Sequence, residues 1–246
     1  MKQTSSFDPR ALPIREGLAR EFERGWQRLA SPVTWWTGQE RLAIGAEVRH
    51  ASACALCRRG KGALSPYAVG GSHETPGHLS TAMVEIVHRL TTDAGRLTKT
   101  WLRSMLDAGV SEEQYVETVG VVAMITALDT FDLALGLPRR TLPAARPGAP
   151  NRQRPAGARR DLAWVMTVAP EALTPGDTNP YAHGDKNIHR ALSLVPREVL
   201  NFFDLDIELY LRDHQIRDFD HEFRALSHGQ IELLAGRVSA INGCYY

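Results

Sequence analysis

The chain has 246 residues, enough for one large domain or two small ones, and its 43% hydrophobic and 23% charged residues are the balance of a globular protein that buries a core without disulfide staples. Lys and Arg number 29 and Asp and Glu 28, so the net charge of +1 gives no global field that would draw nucleic acid or an anionic membrane. The apolar run Val119–Leu128 is far too short to span a bilayer, and residues 1–10 lack an apolar signal core. Three Cys are too few, and odd in number, for a disulfide framework, which places the expected compartment in a reducing cytoplasm.

In chain order, the first predicted helix runs from about Pro13 to Leu29, with Ile14, Leu18, Phe22, Trp26 and Leu29 at helical spacing. Thr37-Gly-Gln-Glu40 is a capping-box pattern, and the helix it opens runs toward Cys54. Residues 60–78 are rich in Gly and read as loop. Leu79, Met83, Ile86, Val87 and Leu90 mark a further helix. Leu97, Trp101, Leu102, Met105 and Leu106 mark another, stopped by Gly109. Ser111-Glu-Glu-Gln114 opens the longest apolar helix, ending near Leu135 to Pro138. Val116, Val119, Val122, Ala123 and Ile125 occupy more than one face of it, as in a helix buried between others.

Residues 139–160 hold seven Arg, four Pro and no acidic residue, and read as an extended linker. No aromatic residue interleaves there for base stacking, which argues against a nucleic-acid arm. Trp164–Val168 is an apolar run of undetermined type. Helical signal returns at Val195–Tyr210, and Ser227-His-Gly-Gln230 opens a last helix stopped by Asn242-Gly243. Period-2 alternation is almost absent, so the expected fold class is all-α.

One unit occurs twice. Residues 37–57 and 227–246 each combine a capping box containing Gly-Gln, an early Glu, a small-residue helix and a Cys. Glu40 stands 14 residues before Cys54, and Glu232 stands 12 before Cys244.

Cys54-Ala-Leu-Cys57 is the chemical signal. Two thiols at this spacing at a helix N-terminus can close a disulfide, and the helix end favours the thiolate, with Arg58, Arg59 and Lys61 adding positive charge. The same spacing serves as half a metal site. His50, Cys54 and Cys57 supply three donors, and His73 or His78 a fourth, but nothing in the sequence fixes that loop near the pair. Glu40 and Glu232 read blandly as helix-start residues and functionally as proton-relay carboxylates. His88, His183, His189, His214, His221 and His228 have no local constellation.

Capping box, Glu, small-residue helix and Asn242-Gly243-Cys244 together resemble the alkylhydroperoxidase D-like, or carboxymuconolactone decarboxylase, family, whose core reads Glu, eleven residues, Cys-x-x-Cys, three residues, His. The second copy matches through Glu232 and Cys244, and the first in residues 40–49 and 54–57. Residues 83–138 resemble the helices that follow the Cys pair in peroxidase-related members, so the resemblance covers roughly 33–138 and 187–246. It implies an all-helical, oligomeric alkylhydroperoxidase D-like bundle. Redox members of the family reduce hydroperoxides, or pass electrons to a peroxiredoxin, through the Cys pair, with Glu and His as relay. Carried over, Cys54 and Cys57 are the redox pair and Glu40 the relay acid, while Glu232 and Cys244 play those parts in the second copy. This chain departs from the pattern in three ways. Lys61 stands where the His is due, Glu40 is two residues out of register, and the second copy is cut short at Tyr246. The expectation from that cut is a selenocysteine codon at position 247.

The domains expected are an N-terminal helix (1–30), an alkylhydroperoxidase D-like domain (31–138), an Arg/Pro-rich linker (139–186) and a truncated second copy (187–246). A copy cut there would leave apolar surface exposed at the C-terminal end. The expected function is a thiol-dependent peroxidase or peroxiredoxin-reducing oxidoreductase, needing no cofactor and no metal. The partners expected are a hydroperoxide, a thiol reductant or peroxiredoxin-type protein, and further copies of the chain, with no nucleic acid and no membrane. The alternatives are a non-redox, carboxymuconolactone-decarboxylase-like protein and a non-catalytic helical oligomerisation module.

Overall fold

A computed structural model describes residues 14–244. Pro13, the expected first-turn proline, and Tyr245 and Tyr246 lie outside the described residues. Among those described, the chain is all-α, with ten α-helices, three short 3-10 turns and a single isolated β-bridge between Arg159 and Thr167.

Helix α1 (Glu16–Leu29) buries Leu18, Phe22, Trp26 and Leu29, the stripe its periodicity sets out. Helix α2 (Gly38–Ala51) starts at the Thr37 capping box. Helix α3 (Ala55–Gly62) follows after a short break, with Cys54 at its N-cap. An irregular loop carries the chain to α4 (Thr81–Asp93), and α5 (Lys99–Asp107) is closed by Gly109 at φ +97°. Helix α6 (Glu112–Ala134) is the central element, packing against α1, α2 and α4, and it buries residues on several faces as the sequence indicates.

Residues 139–186 hold no α-helix and only the short 3-10 turn Pro170–Ala172, yet they lie on the helical body. The backbone N–H groups of Arg146, Asn151 and Arg152 donate to the carbonyls of Ala30, Val33 and Thr34 at 2.8, 3.3 and 2.8 Å. Val165, Val168 and Ala169 are buried, which accounts for the apolar run at 164–168. After the one-turn α7 (Asn187–Arg190), helix α8 (Pro196–Leu209) packs on α1 and α6. Leu194, Val195 and Leu205 share one core with Phe22, Ile44, Ile86 and Ile125. The composition change at 139–186 therefore marks a loss of regular structure but no break in the core.

A buried ion cluster ties α2, α6 and α8 together. Arg41 Nη1 donates to Glu117 Oε1 at 2.7 Å and to Glu198 Oε1 at 2.8 Å, all three side chains being at most 1% exposed. Glu117 also accepts the Trp35 N–H at 2.6 Å. Burial raises the Glu117 carboxyl above its ordinary value, with Arg41 pulling it down and Glu198 pushing it up. Beyond the short α9 (Asp213–Ile216), helix α10 (His228–Asn242) starts at its Ser227 capping box and ends at Gly243 with φ +64°. Its apolar residues Leu233, Leu234, Val238 and Ile241 are 56–74% exposed. Among the described residues no helix is long and apolar enough to cross a membrane.

Candidate thiol and histidine site

The site forms where the end of α2, the start of α3, the loop and α4 meet. Cys54 is buried and Cys57, one helical turn on, is partly buried, and both are free thiols. Two histidines close on them. His73 Nδ1 lies 3.6 Å from Cys54 Sγ and 3.5 Å from Cys57 Sγ, and His88 Nδ1 lies 3.1 Å from Cys57 Sγ. These four donors all fall within 4.8 Å of one another.

Each imidazole is held from behind by a carboxylate. His73 Nε2 lies 2.6 Å from Glu85 Oε2, and His88 Nε2 lies 2.7 Å from Glu47 Oε1. Glu85 also accepts from Arg89 Nε at 2.9 Å and from Trp101 Nε1 at 3.0 Å. Burial disfavours the charged form of Glu85, but these three donors outweigh it and bring its carboxyl down to about 2. The Glu47–His88 pair is almost completely removed from water, with side chains 1% and 0% exposed.

The loop reaches the pair because three consecutive residues are anchored to three different helices. His73 bonds to Glu85 of α4. The Glu74 carboxylate accepts the free N–H of Ala55 at the start of α3, at 3.2 Å. Thr75 Oγ1 donates to Glu47 Oε2 of α2 at 2.8 Å. No periodicity in a Gly-rich segment encodes such a path, so the sequence leaves this loop unplaced.

The two histidines differ electrically. Burial works against charge on His73, yet hydrogen bonds to Cys57, Glu85 and Cys54 outweigh it and lift its pKa to about 10. His73 is thus an imidazolium across both sulfurs. Burial holds His88 below its ordinary value, against its bond to Glu47 and helped by the charge of His73. Neutral His88 then donates Nε2–H to Glu47 and turns the Nδ1 lone pair to Cys57. Burial opposes ionisation of Cys54, but hydrogen bonds from the Cys57 backbone N–H, from His73 and from the Glu74 backbone bring its pKa down to about 7. A cavity of about 200 Å³ reaches the cluster, with Cys57, His73, Glu85, Arg89, Lys61 and Tyr67 in its wall. The larger cavity, about 640 Å³ and bordered by Arg24, Arg28, Arg146, Arg154 and Arg197, shares no lining residue with it.

Of the residues singled out in the sequence as donors or relay groups, the structure brings Cys54, Cys57 and His73 together and leaves the others elsewhere. Glu40 closes its cap, with Oε2 2.8 Å from both the N–H and the Oγ1 of Thr37. It stands about 16 Å along α2 from Ala51, at a rise of about 1.5 Å per residue. The carboxylates bonded to the histidines of the site are Glu47 and Glu85. Glu232 accepts from the Tyr210 hydroxyl, and Cys244 is exposed at the far end of α10. Arg58 turns to the Ala53 carbonyl and Arg59 to that of Gly70, so His73 is the cation facing the sulfurs. His50 lies with its ring centroid 6.4 Å from that of His88 and bonds neither thiol, and His78 is exposed. His88, Glu47 and Glu85 are not legible as a site in the sequence because the partners that join them lie on other elements. The signals available were a charge inside the apolar stripe of α2 and a Glu-x-x-His on one face of α4.

Fold and site define an all-α protein with a Cys-x-x-Cys pair set among histidines. Comparison of the chain with protein-family models, with curated proteins and with solved structures found no match.

Proposed function

We propose that the protein is a thiol oxidoreductase of a reducing compartment such as the cytoplasm, in which Cys57 and Cys54 reduce a hydroperoxide. The observation that carries this reading is the contact of His88 Nδ1 with Cys57 Sγ at 3.1 Å, with Cys57 itself lining a cavity of about 200 Å³. His88 takes the Cys57 proton. The thiolate attacks the terminal peroxide oxygen, the O–O bond breaks, and the alkoxide leaves as the alcohol once protonated. Cys57 is then a sulfenic acid. The Cys54 thiolate beneath it attacks that sulfur, forming the disulfide and expelling hydroxide, which takes a proton from solvent and leaves as water. An external dithiol, free or on a partner protein, restores both thiols by exchange.

Kinship with the alkylhydroperoxidase D-like family belongs to the same proposal. It is supported by the all-α fold and by the pair at the start of a helix. The relay differs from the family pattern, coming from His88 and Glu47, with Lys61 at the position where the family has His.

The test is thiol counting after addition of one equivalent of hydrogen peroxide or an organic hydroperoxide to the reduced chain. Two of the three thiols should be lost per peroxide consumed, with Cys244 retained. Cys57→Ser should abolish the reaction, and Cys54→Ser should trap the sulfenic acid at Cys57. Peroxide consumption no faster in the native chain than in Cys57→Ser would rule the proposal out.

A further inference from the structure

The reduced site is also shaped as a metal centre. A tetrahedral zinc ion binds thiolate at about 2.3 Å and imidazole at about 2.0–2.1 Å, which puts neighbouring S and N donors about 3.5 Å apart. Three of the four sulfur–nitrogen distances here are 3.6, 3.5 and 3.1 Å, and every pair of donor atoms lies within 4.8 Å. Both imidazoles present Nδ1 to the sulfurs. Two thiolates and two imidazoles are a donor set suited to zinc-class ions, and an oxygen-seeking ion such as magnesium or calcium would not choose them.

The surroundings fit as well. A ligating imidazole usually donates its second N–H to a carboxylate, which fixes ring and tautomer. Both histidines have that partner, Glu85 for His73 and Glu47 for His88. Glu47 is itself held by Thr75 and Glu85 by Arg89 and Trp101, so the outer groups are fixed too. Charge closes in the same way, because two thiolates balance a divalent ion once it has displaced the thiol protons and the Nδ1 proton of His73.

From this geometry we infer that Cys54, Cys57, His73 and His88 form a binding site for one zinc-class divalent ion in the reduced protein. All four positions around the ion are filled by protein, so the ion clasps α3, the loop and α4 and activates no water. The inference rests on the cluster and is independent of the redox reading, although the two meet at the sulfurs. Oxidation by a hydroperoxide takes two electrons from the thiolates and, with two protons drawn from solvent, forms the S–S bond, yields alcohol and water, and frees the ion, since a disulfide no longer offers thiolate ligands.

The test is cobalt(II) titration of the reduced, metal-stripped full chain, followed by zinc competition. One equivalent of cobalt should bind with tetrahedral d–d bands and a thiolate-to-cobalt charge-transfer band, and zinc should displace it. Glu85→Gln should weaken zinc binding about 10- to 100-fold. His73→Ala, in a loop and outside the helices, should remove the tetrahedral spectrum while the helical circular dichroism is kept. The native chain oxidised to the disulfide serves as a second control that needs no substitution, and it should bind no cobalt. Absence of the charge-transfer band in the reduced chain, or equal cobalt binding by reduced and oxidised chains, overturns the inference. A chain that binds zinc but consumes no peroxide keeps the metal site and loses the proposed function, and a chain that cycles without binding metal does the reverse.

Discussion

His88 Nε2 lies 2.7 Å from Glu47 Oε1 with both side chains sealed from water, while the other ring nitrogen faces Cys57 at 3.1 Å. The carboxylate fixes which nitrogen carries the proton, and so fixes what the sulfur meets. Glu47→Gln keeps the shape and removes the charge. Oxidation of the thiol pair by peroxide should slow roughly 10- to 100-fold with little change in fold. Glu47→Ala strips the partner from both His88 and Thr75 and should cost about 1–3 kcal/mol of stability as well. Stopped-flow thiol loss set beside urea unfolding separates the two effects. Equal rates for the native chain and Glu47→Gln would remove Glu47 from the relay.

Arg41 is the only cation bonded to Glu117 and Glu198 among the described residues. Its replacement by Met should leave two buried carboxylates without a counter-ion, at about 3–5 kcal/mol. The loss should shrink in acid, where protonated carboxyls need no partner. Urea midpoints at neutral and mildly acidic pH check this, and a penalty unchanged across that range would contradict it.

Gly120 lets α8 approach α6. A Cβ added there would meet Glu198 Oε2 at 2.5 Å and Glu198 Cβ at 2.9 Å. The first atom can swing aside, but the second sits against the backbone of α8. Gly120→Ala should therefore destabilise by about 1–3 kcal/mol through overpacking. Gly236→Ala, in α10 with open space around it, should instead be neutral or stabilising by up to about 1 kcal/mol. Thermal melts of the two variants should move in opposite directions, or the second not at all.

Asp206 on α8 supplies a pH test away from the cysteines. Burial raises its carboxyl to about 6, with His183 opposing. The folded chain therefore holds this proton more tightly than the unfolded chain, whose Asp has a pKa of about 3.9. The stability it adds is complete below about pH 4 and is lost as pH rises through about 6. Asp206→Asn should stabilise the protein near pH 7 by about 1–2 kcal/mol, after allowance for partial exposure, and change little near pH 4. Melting curves at the two pH values measure the difference, and a gain at pH 4 equal to that at pH 7 would show that Asp206 does not titrate in this way.

Most of the fold is legible in the sequence wherever a local rule acts. The boxes at Thr37, Ser111 and Ser227 each start a helix, Gly109 and Gly243 each end one, and the apolar stripes of α1 and α6 point inward. Legibility fails where distance along the chain is bridged. The Arg- and Pro-rich stretch shows its extended backbone in its composition but hides the hydrogen bonds that lay it along residues 30–34. The site divides in the same way. The Cys-x-x-Cys motif is readable because its chemistry lies in adjacent residues. His73 is not, since its place depends on Glu74 and Thr75 finding partners on two other helices. Glu40 misleads because the capping role and the relay role call for the same residue type, and only the length of α2 separates them.

The bonds around α8 also govern what happens when the backbone is cut. Arg28 holds Asp204 at 2.6 Å, Arg41 holds Glu198, and the helix contributes Leu205 to the common core. A protease that nicks the irregular stretch between α6 and α8 would yield two fragments that remain one particle under native conditions and part only in denaturant. The continuity of the covalent chain there is dispensable to the assembled body, so the stretch can accept a break, an insertion or new termini while the thiol cluster, built wholly upstream of it, stays in place.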